Sequence, residues 1–206
     1  MRVITGRAKG HKLKAPEGLG TRPMLDRVKV SLFSVLEGYG RFHGRVLDLY
    51  AGTGSLGIEF LSRGASKADF VEQSAHVCGI IRDNLRHTKL DAQAQVHTLP
   101  VERFLRSHRG GGHFDYIMMD PPYADPAIEQ MINLVVEMGM GHVGSLLIVG
   151  HSPRVPLADT YPSLTRIKFR HIGDSCFSIY VWGERVAPPT VEGDVDVLDR
   201  AEEKSL

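Results

Sequence analysis

The feature that most constrains the fold of this chain is a glycine-rich loop between an apolar run and a helical segment. Residues 45–50 (RVLDLY) are mostly apolar and β-branched, which predicts a short buried strand. Gly52, Gly54 and Gly57 follow in the pattern G-x-G-x-x-G, and residues 58–62 have the character of a helix. Glycines at this spacing allow a tight turn, close approach of a ligand and close packing of helix on strand. The pattern therefore predicts a strand–loop–helix unit that binds a nucleoside cofactor.

Two acidic residues indicate which cofactor this unit binds. Glu72 ends a second predicted strand, 20 residues after Gly52, at the distance from which an acid accepts hydrogen bonds from ribose hydroxyls. Asp48 lies inside the first strand, where a dinucleotide-binding fold is normally apolar. The carboxyl end of such a strand faces the ligand crevice, so Asp48 predicts binding of a cationic amino or sulfonium group. A loop-capping role for Asp48 and a nicotinamide-dependent oxidoreductase are the alternatives.

Residues 120–123, Asp-Pro-Pro-Tyr, follow directly after the apolar run at 114–119. Each proline fixes its own φ and lacks a backbone donor, and the first biases Asp120 toward an extended conformation. A carboxylate, bare carbonyls and an aromatic ring together suit a planar group with N–H donors, such as the exocyclic amine of a nucleobase. An ordinary strand-ending turn is the alternative interpretation. With Asp48 and the glycine loop, this tetrapeptide completes the arrangement of S-adenosylmethionine-dependent methyltransferases that act on amino groups.

Strands and helices alternate along the chain, which predicts an α/β fold with helices on both faces of a sheet. Strands are predicted at residues 45–50, 68–71, 94–99, 114–119, 145–149, 164–171 and 176–182, and helices at 26–36, 58–62, 75–86, 101–107 and 126–138. This is a mostly parallel, seven-stranded sheet that closes with an antiparallel hairpin. The first and fourth strands are expected to meet at the switch point, with residues 48–54 beside residues 120–123.

The charge of the chain is unevenly distributed, although its net charge is only +1. Residues 1–29 carry eight basic and two acidic side chains, whereas residues 184–206 carry three basic and seven acidic ones. Residues 2–6 and 11–15 predict a basic β-hairpin outside the core fold, and Arg27 and Lys29 are expected on the surface of the first helix. This asymmetry favours a polyanionic partner such as RNA. A basic arm that only solubilises the chain is the alternative.

Composition excludes several other classes of protein. No apolar run approaches the length of a membrane span, and the N-terminus has no secretory signal, so a soluble cytoplasmic protein without membrane contact is expected. Cys78 and Cys176 are too few for a disulfide framework and lack metal-ligand spacing. The ten histidines are scattered, and no metal site is predicted.

The sequence resembles the RsmD-type 16S rRNA guanine-N2 methyltransferases over residues 1–183. The resemblance includes R-V-I-T-G-R-x-K-G-x-K-L at residues 2–13, Arg22-Pro23 followed by D-R-V at 26–28, L-D-L-Y-A-G-T-G-S-L-G-I-E at 47–59 and M-D-P-P-Y at 119–123. The glycine loop and D-P-P-Y occur in many amino-methyltransferases, so the N-terminal basic segment and the R-P-x-x-D-R-V signature select this family. The resemblance implies a Rossmann-like class I methyltransferase fold, S-adenosylmethionine as cofactor, and 16S rRNA or the assembling small ribosomal subunit as partner of a monomeric enzyme.

The motifs and the resemblance together assign three groups of functional residues. The catalytic residues are expected to be Asp120, Pro121, Pro122 and Tyr123, and the cofactor-binding residues Asp48, Tyr50, Ala51, Gly52, Thr53, Gly54, Glu72, Gln73 and Leu99. The residues expected to bind RNA are Arg7, Lys9, Lys12, Arg22 and Arg27, where the two arginines at 22 and 27 contact either the RNA backbone or the cofactor site.

Three domains are expected: a basic extension at 1–23, a methyltransferase domain at 24–184 and an acidic, loosely ordered tail at 185–206. An adenine-N6 or other amino-methyltransferase that acts on DNA or a different RNA shares every core motif and remains an alternative function. A catalytically silent RNA-binding module with the same fold is a further alternative, which the intact Asp120 and glycine loop disfavour.

Overall fold

Eight strands form a single sheet in the computed structural model, which describes residues 1–16, 26–40, 42–110, 113–122 and 127–183. The strands are β1 (Arg45–Leu49), β2 (Lys67–Glu72), β3 (Ala94–Thr98), β4 (Phe114–Met119), β5 (Gly141–His151), β6 (Thr160–Tyr161), β7 (Leu164–Ile172) and β8 (Ser175–Trp182). The helices are α1 (Asp26–Glu37), α2 (Ser55–Arg63), α3 (Ala75–Thr88), α4 (Val101–Ser107) and α5 (Ile128–Glu137), with a short 3₁₀ helix at Asp91–Gln93.

The strand order is β3-β2-β1-β4-β5-β8-β7-β6, and the first five strands in that order are parallel. The β8 strand runs antiparallel between β5 and β7, which confirms the predicted mostly parallel sheet with a closing antiparallel hairpin. All seven predicted strands are present, and the two-residue β6 is an addition that the sequence pattern did not reveal. Because β1 pairs with both β2 and β4, the chain reverses its direction of winding at β1, where a ligand crevice is expected.

Alternate residues of the central strands enter two separate hydrophobic cores, one on each face of the sheet. Val46 packs in the core that is covered by α1, α2 and α3, whereas Leu47 and Leu49 pack in the core that is covered by α4 and α5. The continuous apolar runs of β1 and β4 are explained by this burial on both faces. The parity also means that Asp48 faces the same side of the sheet as Val46, toward the start of α2.

The N-terminal segment (residues 1–16) is not an appendage, so the prediction of a hairpin outside the core is wrong. A single antiparallel bridge joins Arg2 and Lys12, and the apolar side chains of Val3, Ala8 and Leu13 are buried in the core with α1, α2 and α3. The charged side chains of this segment alternate with apolar side chains that pack in the core. The segment is therefore basic on its exposed side and stabilises the fold through its buried side.

Several predictions fall on residues that the structure does not describe. The acidic tail at 185–206 and the proline at position 126, which was predicted to open α5, both lie outside the described residues. Among the residues that are described, no helix is long and apolar enough to cross a membrane.

Candidate functional site

The glycine loop turns sharply at the carboxyl end of β1. Tyr50 has a φ of 58°, which is uncommon for a residue with a side chain, and Gly52 and Gly54 have φ values of 52° and 74°. Gly57 lies so close to the second strand that a Cβ added to it would stand 2.4 Å from the ring of Phe70. The third glycine of the motif is therefore required for close packing of α2 on β2, as the motif predicts.

Asp48 is a buried carboxylate at the floor of this loop, with a relative exposure of 2%. Its Oδ2 accepts a hydrogen bond of 2.9 Å from the backbone N–H of Gly57, so it caps the first turn of α2 and not the loop that the alternative interpretation assigned to it. The pKa of Asp48 is raised to about 8, chiefly by burial; the Gly57 hydrogen bond lowers it, and the charges of Asp120 and Glu72 raise it. Within the described residues, no basic side chain forms an ion pair with Asp48, and the raised pKa keeps its carboxyl largely protonated at neutral pH.

Glu72 joins the end of β2 to the glycine loop. Its Oε2 accepts from the backbone N–H of Gly52 at 3.2 Å, and its Oε1 accepts from the backbone N–H of Ser74 at 2.9 Å. The carbonyl of Glu72 accepts from the N–H of Leu99 at 3.1 Å, which brings the residues after β3 to the same edge. Gln73 is exposed beside them. The predicted cofactor-binding residues of β1, β2 and β3 thus lie along one edge of the sheet.

Ala51 and Thr53 are buried, whereas Tyr50 and Gly52 beside them are partly exposed. Ala51 donates its N–H to the carbonyl of Val71 at 3.0 Å, and its relative exposure is 9%. The hydroxyl of Thr53 contacts Sδ of Met1 at 3.7 Å, so the start of the chain covers this side of the loop. These two residues hold the loop against its neighbours more than they face the crevice.

Asp120 follows β4, and its side chain lies against the backbone of Gly150 on β5. A Cβ added to Gly150 would stand 2.3 Å from Oδ1 of Asp120, so any larger residue at position 150 would displace the carboxylate. Burial raises the pKa of Asp120 to about 6, so the carboxylate is mostly ionised at neutral pH. Pro121 is buried and Pro122 is exposed, whereas Tyr123 lies outside the described residues.

The two acids meet because β1 and β4 are neighbours in register. Leu49 pairs with Met119, so the residues that follow these two strands emerge side by side at one edge. The charge of Asp120 contributes to the raised pKa of Asp48, which reflects this proximity. The predicted juxtaposition of the glycine loop with the start of Asp-Pro-Pro is therefore present in the fold.

The residues predicted to bind RNA fall into two separate places. Lys9 and Lys12 are exposed on the N-terminal segment, and the guanidinium of Arg7 on the same segment contacts the side chain of Gln93. Arg27 is exposed at the start of α1, and its Nη2 would stand 3.8 Å from a Cβ added to Gly173 in the turn between β7 and β8. Arg22 lies outside the described residues.

A buried group of charges beneath the N-terminal segment was not predicted. Lys29 has no exposed area, so the prediction that it lies on the surface is wrong. Its ammonium group lies 3.4 Å from Oε2 of the equally buried Glu59. Arg63 donates from Nε to Oε1 of Glu59 at 2.9 Å, and we call these three residues the Lys29–Glu59–Arg63 cluster. Glu59 also accepts from the backbone N–H groups of Ile4 and Thr5, at 2.8 and 2.9 Å.

The cluster and a buried amide connect the N-terminal segment to the glycine loop. Lys29 donates to the carbonyl of Arg2 at 2.6 Å and to the hydroxyl of Ser55, the first residue of α2, at 3.2 Å. Asn84 of α3 donates to the carbonyls of Lys14 and Thr53, at 3.1 and 3.0 Å. The segment therefore supports the loop from behind. Of the described residues, no group of three or more His, Cys, Asp or Glu side chains is arranged to hold a metal ion.

Comparison with known proteins gives consistent matches over nearly all of the described chain. The profile of the family described as "Conserved hypothetical protein 95" matches residues 1–181. The chain is 36% identical to the putative rRNA methyltransferase YlbH of Bacillus subtilis over 182 residues, which cover 87% of this chain and 98% of that protein. It is 34% identical to the ribosomal RNA small subunit methyltransferase D of Haemophilus influenzae, over 87% of this chain and 93% of that one. A solved structure of the putative methyltransferase yhhF from Escherichia coli superposes with a TM-score of 0.78 at 29% identity, covering 90% of this chain and 99% of that chain.

Proposed function

The chain belongs to the RsmD family of methyltransferases, and we propose that it methylates the exocyclic N2 amine of a guanine in 16S rRNA of the small ribosomal subunit, with S-adenosylmethionine as donor. The observation that carries the proposal is the meeting of Asp48 and Asp120 at the carboxyl ends of two neighbouring parallel strands. The first carboxylate suits a cationic cofactor, and the second suits an amine that has N–H groups to donate. The names of the relatives support RNA from the small ribosomal subunit as the substrate.

The residues of the crevice fit S-adenosylmethionine in charge and in shape. Asp48 is buried near two acids, so a cationic amino or sulfonium group beside it would lower its pKa and stabilise the ionised carboxylate. Gly52 leaves the loop open, because a Cβ at this position would meet only the Tyr50 carbonyl, at 3.8 Å. Each Glu72 oxygen that accepts a backbone N–H retains a second lone pair for a ribose hydroxyl. When bound, S-adenosylmethionine supplies a methyl group that its sulfonium activates.

Asp120 and Pro121 are proposed to orient the target amine. The amine of guanine is a weak nucleophile because its lone pair is delocalised into the ring. Hydrogen bonds from its two N–H groups to the Asp120 carboxylate and the Pro121 carbonyl favour a pyramidal nitrogen, whose lone pair then faces the methyl group. Most of the rate acceleration is expected from this alignment, and the ionised carboxylate stabilises the positive charge that develops on nitrogen.

The proton that leaves the amine passes either to Asp120 or to solvent. The raised pKa of Asp120, about 6 because of burial, makes the carboxylate a better base than an exposed aspartate. Tyr123 is proposed to stack on the base after the base leaves its own stack in the RNA. Lys9 and Lys12, together with Arg7, Arg22 and Arg27, are proposed to contact the RNA backbone, which adds affinity without sequence information.

The proposal is tested by transfer of labelled methyl groups from S-adenosylmethionine to 16S rRNA. Naked rRNA and small-subunit particles that were assembled without the enzyme serve as the two substrates, and the modified nucleoside is identified by mass spectrometry. We expect N2-methylguanosine at a single site. Methylation of adenine, or transfer to DNA alone, would contradict the assignment of base or substrate and favour the N6-adenine alternative. Binding of S-adenosylmethionine without transfer to either rRNA form would refute rRNA as the substrate.

A further inference from the structure

Phe169 is an exposed aromatic side chain on β7, near the carboxyl end of β5. Its relative exposure is 47%, and a phenyl ring gains little from contact with water. The ring of His151 lies 6.0 Å from it, centroid to centroid, with an interplanar angle of 39°. The guanidinium carbon of Arg166 lies 5.6 Å from the Phe169 ring centroid. Two rings and a cation thus form one surface, which resembles the surfaces on which nucleobases stack.

The strand that carries Phe169 is basic along its length. Its sequence LTRIKFRHI includes Arg166, Lys168 and Arg170 and contains no acid, although Arg166 forms an ion pair with Asp159, which precedes the strand. The two-residue β6 pairs with Leu164 and Thr165, and the N–H of Arg166 donates to the carbonyl of Asp159 at 2.8 Å, so within the described chain the remainder of β7 is an edge of the sheet. We call Arg166, Lys168, Phe169 and Arg170, together with His151, the β7 platform.

The β7 platform is continuous with the catalytic edge of the sheet. Gly150, on which the Asp120 carboxylate rests, directly precedes His151. Met119 pairs with Val149, Val149 with Ser178, and Ser178 with Phe169, so three strand spacings separate β4 from β7. At about 4.8 Å for each spacing, the backbone of Phe169 is about 14 Å from the residue that precedes Asp120. This distance is that of a neighbouring nucleotide and not of the target base itself.

We propose that the β7 platform binds the single-stranded RNA that flanks the target nucleotide, with one base stacked on Phe169 and phosphates held by the basic side chains of β7. RNA is favoured as the occupant because the surface combines a stacking ring with positive charge, the combination by which proteins hold single strands without sequence preference. Within the platform, Arg166, Phe169 and His151 lie on the face of α4 and α5, whereas Lys168 and Arg170 lie on the other face, as the Asp120 carboxylate does. An RNA strand that reaches both sites therefore crosses the sheet edge at Gly150 and His151. The inference rests on the proposed function.

The test compares the intact wild-type chain with Phe169→Ala, Phe169→Trp and a matched control, Val143→Ala. Val143 is 78% exposed and lies near the opposite end of β5, so its loss removes exposed apolar area away from the platform. For Phe169→Ala we expect about a tenfold rise in the KM for rRNA and a similar weakening of binding to fluorescent oligoadenylate. Phe169→Trp and Val143→Ala are expected to remain close to wild type. The kcat at saturating RNA and the affinity for S-adenosylmethionine should not change in any variant.

Unchanged RNA affinity in Phe169→Ala would overturn the inference. Basic residues on an edge strand also prevent the strand from pairing with the sheet of another molecule. If a β7 variant self-associates while its RNA affinity is unchanged, the platform serves to prevent such pairing and not to bind RNA. Lys168→Gln is expected to flatten the salt dependence of oligoadenylate binding by about one phosphate contact. Oligoadenylate binding does not depend on the methylated base. A wild-type enzyme that methylates adenine would therefore refute the proposed base specificity while the Phe169→Ala result still decides the platform.

Discussion

Asp48 of β1 and Glu59 of α2 are two buried carboxylates, and their surroundings differ. Glu59 receives two cationic side chains, Lys29 and Arg63, and two backbone N–H groups. Asp48 receives one backbone N–H, and the charges that act on it most strongly are those of two acids. The cost of burying the charge of Glu59 is offset within the fold itself, whereas the charged form of Asp48 is not compensated and its pKa is raised to about 8.

This difference separates a structural centre from a binding centre. A buried charge whose partners all come from the chain stabilises the folded state and needs no ligand. A buried charge without a cationic partner is costly unless a ligand supplies the missing charge, and strongly perturbed groups in a crevice are for this reason candidates for function. We therefore expect changes around Asp48 to affect binding and catalysis and changes in the Lys29–Glu59–Arg63 cluster to affect stability.

The largest effect is expected at the catalytic end of the crevice. Asp120→Ala removes the acceptor for the target amine and should lower the single-turnover rate about 100- to 10,000-fold. The free energy of unfolding should not fall through loss of charge, since the carboxylate carries no ion pair in the described structure and burial disfavours its ionised form. Rapid-quench methyl transfer measures the rate, and calorimetry with S-adenosylmethionine checks that cofactor affinity is retained. Asp120→Asn keeps an acceptor oxygen, so its single-turnover rate should lie between those of wild type and Asp120→Ala. A single-turnover rate equal to wild type in Asp120→Ala would remove Asp120 from the mechanism.

Breaking the cluster should produce the opposite pattern. Glu59→Ala leaves Lys29 buried without its anion and removes one of the two carboxylates that pair with Arg63, the other being Glu37, so the free energy of unfolding should fall by about 3–5 kcal/mol. Urea unfolding monitored by circular dichroism measures this loss.

The matched control for Glu59→Ala is the double variant Lys29→Met/Glu59→Met, which removes the ion pair and keeps apolar volume. Because no buried lysine is then left without its anion and Arg63 keeps its ion pair with Glu37, the double variant should be clearly more stable than Glu59→Ala. Equal instability of the two variants would mean that packing, not charge pairing, accounts for the role of Glu59.

A smaller effect is expected when the charge of Asp48 is removed without a change in size. Asp48→Asn retains an oxygen that can accept from Gly57, so the start of α2 should persist. The affinity for S-adenosylmethionine should fall about 10- to 100-fold, because a charge-assisted interaction is lost. Isothermal titration calorimetry measures this change, and unchanged affinity would mean that Asp48 is only a helix cap.

The pH dependence of stability provides the control for Asp48→Asn. The pKa of Asp48 is about 8 in the folded chain and about 4 in an unfolded one, so unfolding releases a proton between these values. The stability that protonated Asp48 contributes is therefore fully present below about pH 4 and is lost as the pH rises toward about 8. Asp120, with a pKa of about 6, contributes in the same direction over a lower range. Between about pH 6 and 8 the decline should be shallower in Asp48→Asn than in wild type.

The sequence predicted the crevice better than the cluster, for a physical reason. The crevice follows from local patterns: the period of the apolar runs gives the strands, and the carboxyl ends of neighbouring parallel strands share an edge. Asp48 and Asp120 needed only those rules to come together. Arg63 contacts Glu59 at the local i,i+4 spacing, but the Ile4 and Thr5 N–H groups that bind Glu59 lie about 55 residues away in the N-terminal segment, and no local rule specifies such contacts.

The position of Lys29 within α1 nevertheless indicates that it is buried. It precedes Leu32, Phe33 and Leu36 by three, four and seven residues, so it lies on the apolar stripe of α1 and not opposite to it. Because a lysine is almost never fully buried without a partner, its residue type favours a surface position and its spacing favours a buried one. The N-terminal segment combines the same two signals: its charges favour an exposed hairpin, whereas their alternation with apolar residues buries Val3 and Leu13.

The smallest effect concerns the outer side of the N-terminal segment. The backbone on the inner side of this segment contacts the Lys29–Glu59–Arg63 cluster, whereas Lys9 and Lys12 are exposed. The double variant Lys9→Gln/Lys12→Gln should leave the free energy of unfolding within about 0.5 kcal/mol of wild type, as is usual for surface changes. If both lysines contact phosphates, the slope of log affinity for single-stranded rRNA against log salt should decrease by about 1.4. Lys67→Gln is the matched control, because Lys67 is also exposed but lies at the amino end of β2, away from the crevice. The same slope in wild type, the double variant and Lys67→Gln would show that this segment stabilises the fold and does not contact RNA. A slope that changes only in the double variant would show that one short segment supports the glycine loop on its inner side and contacts RNA on its outer side.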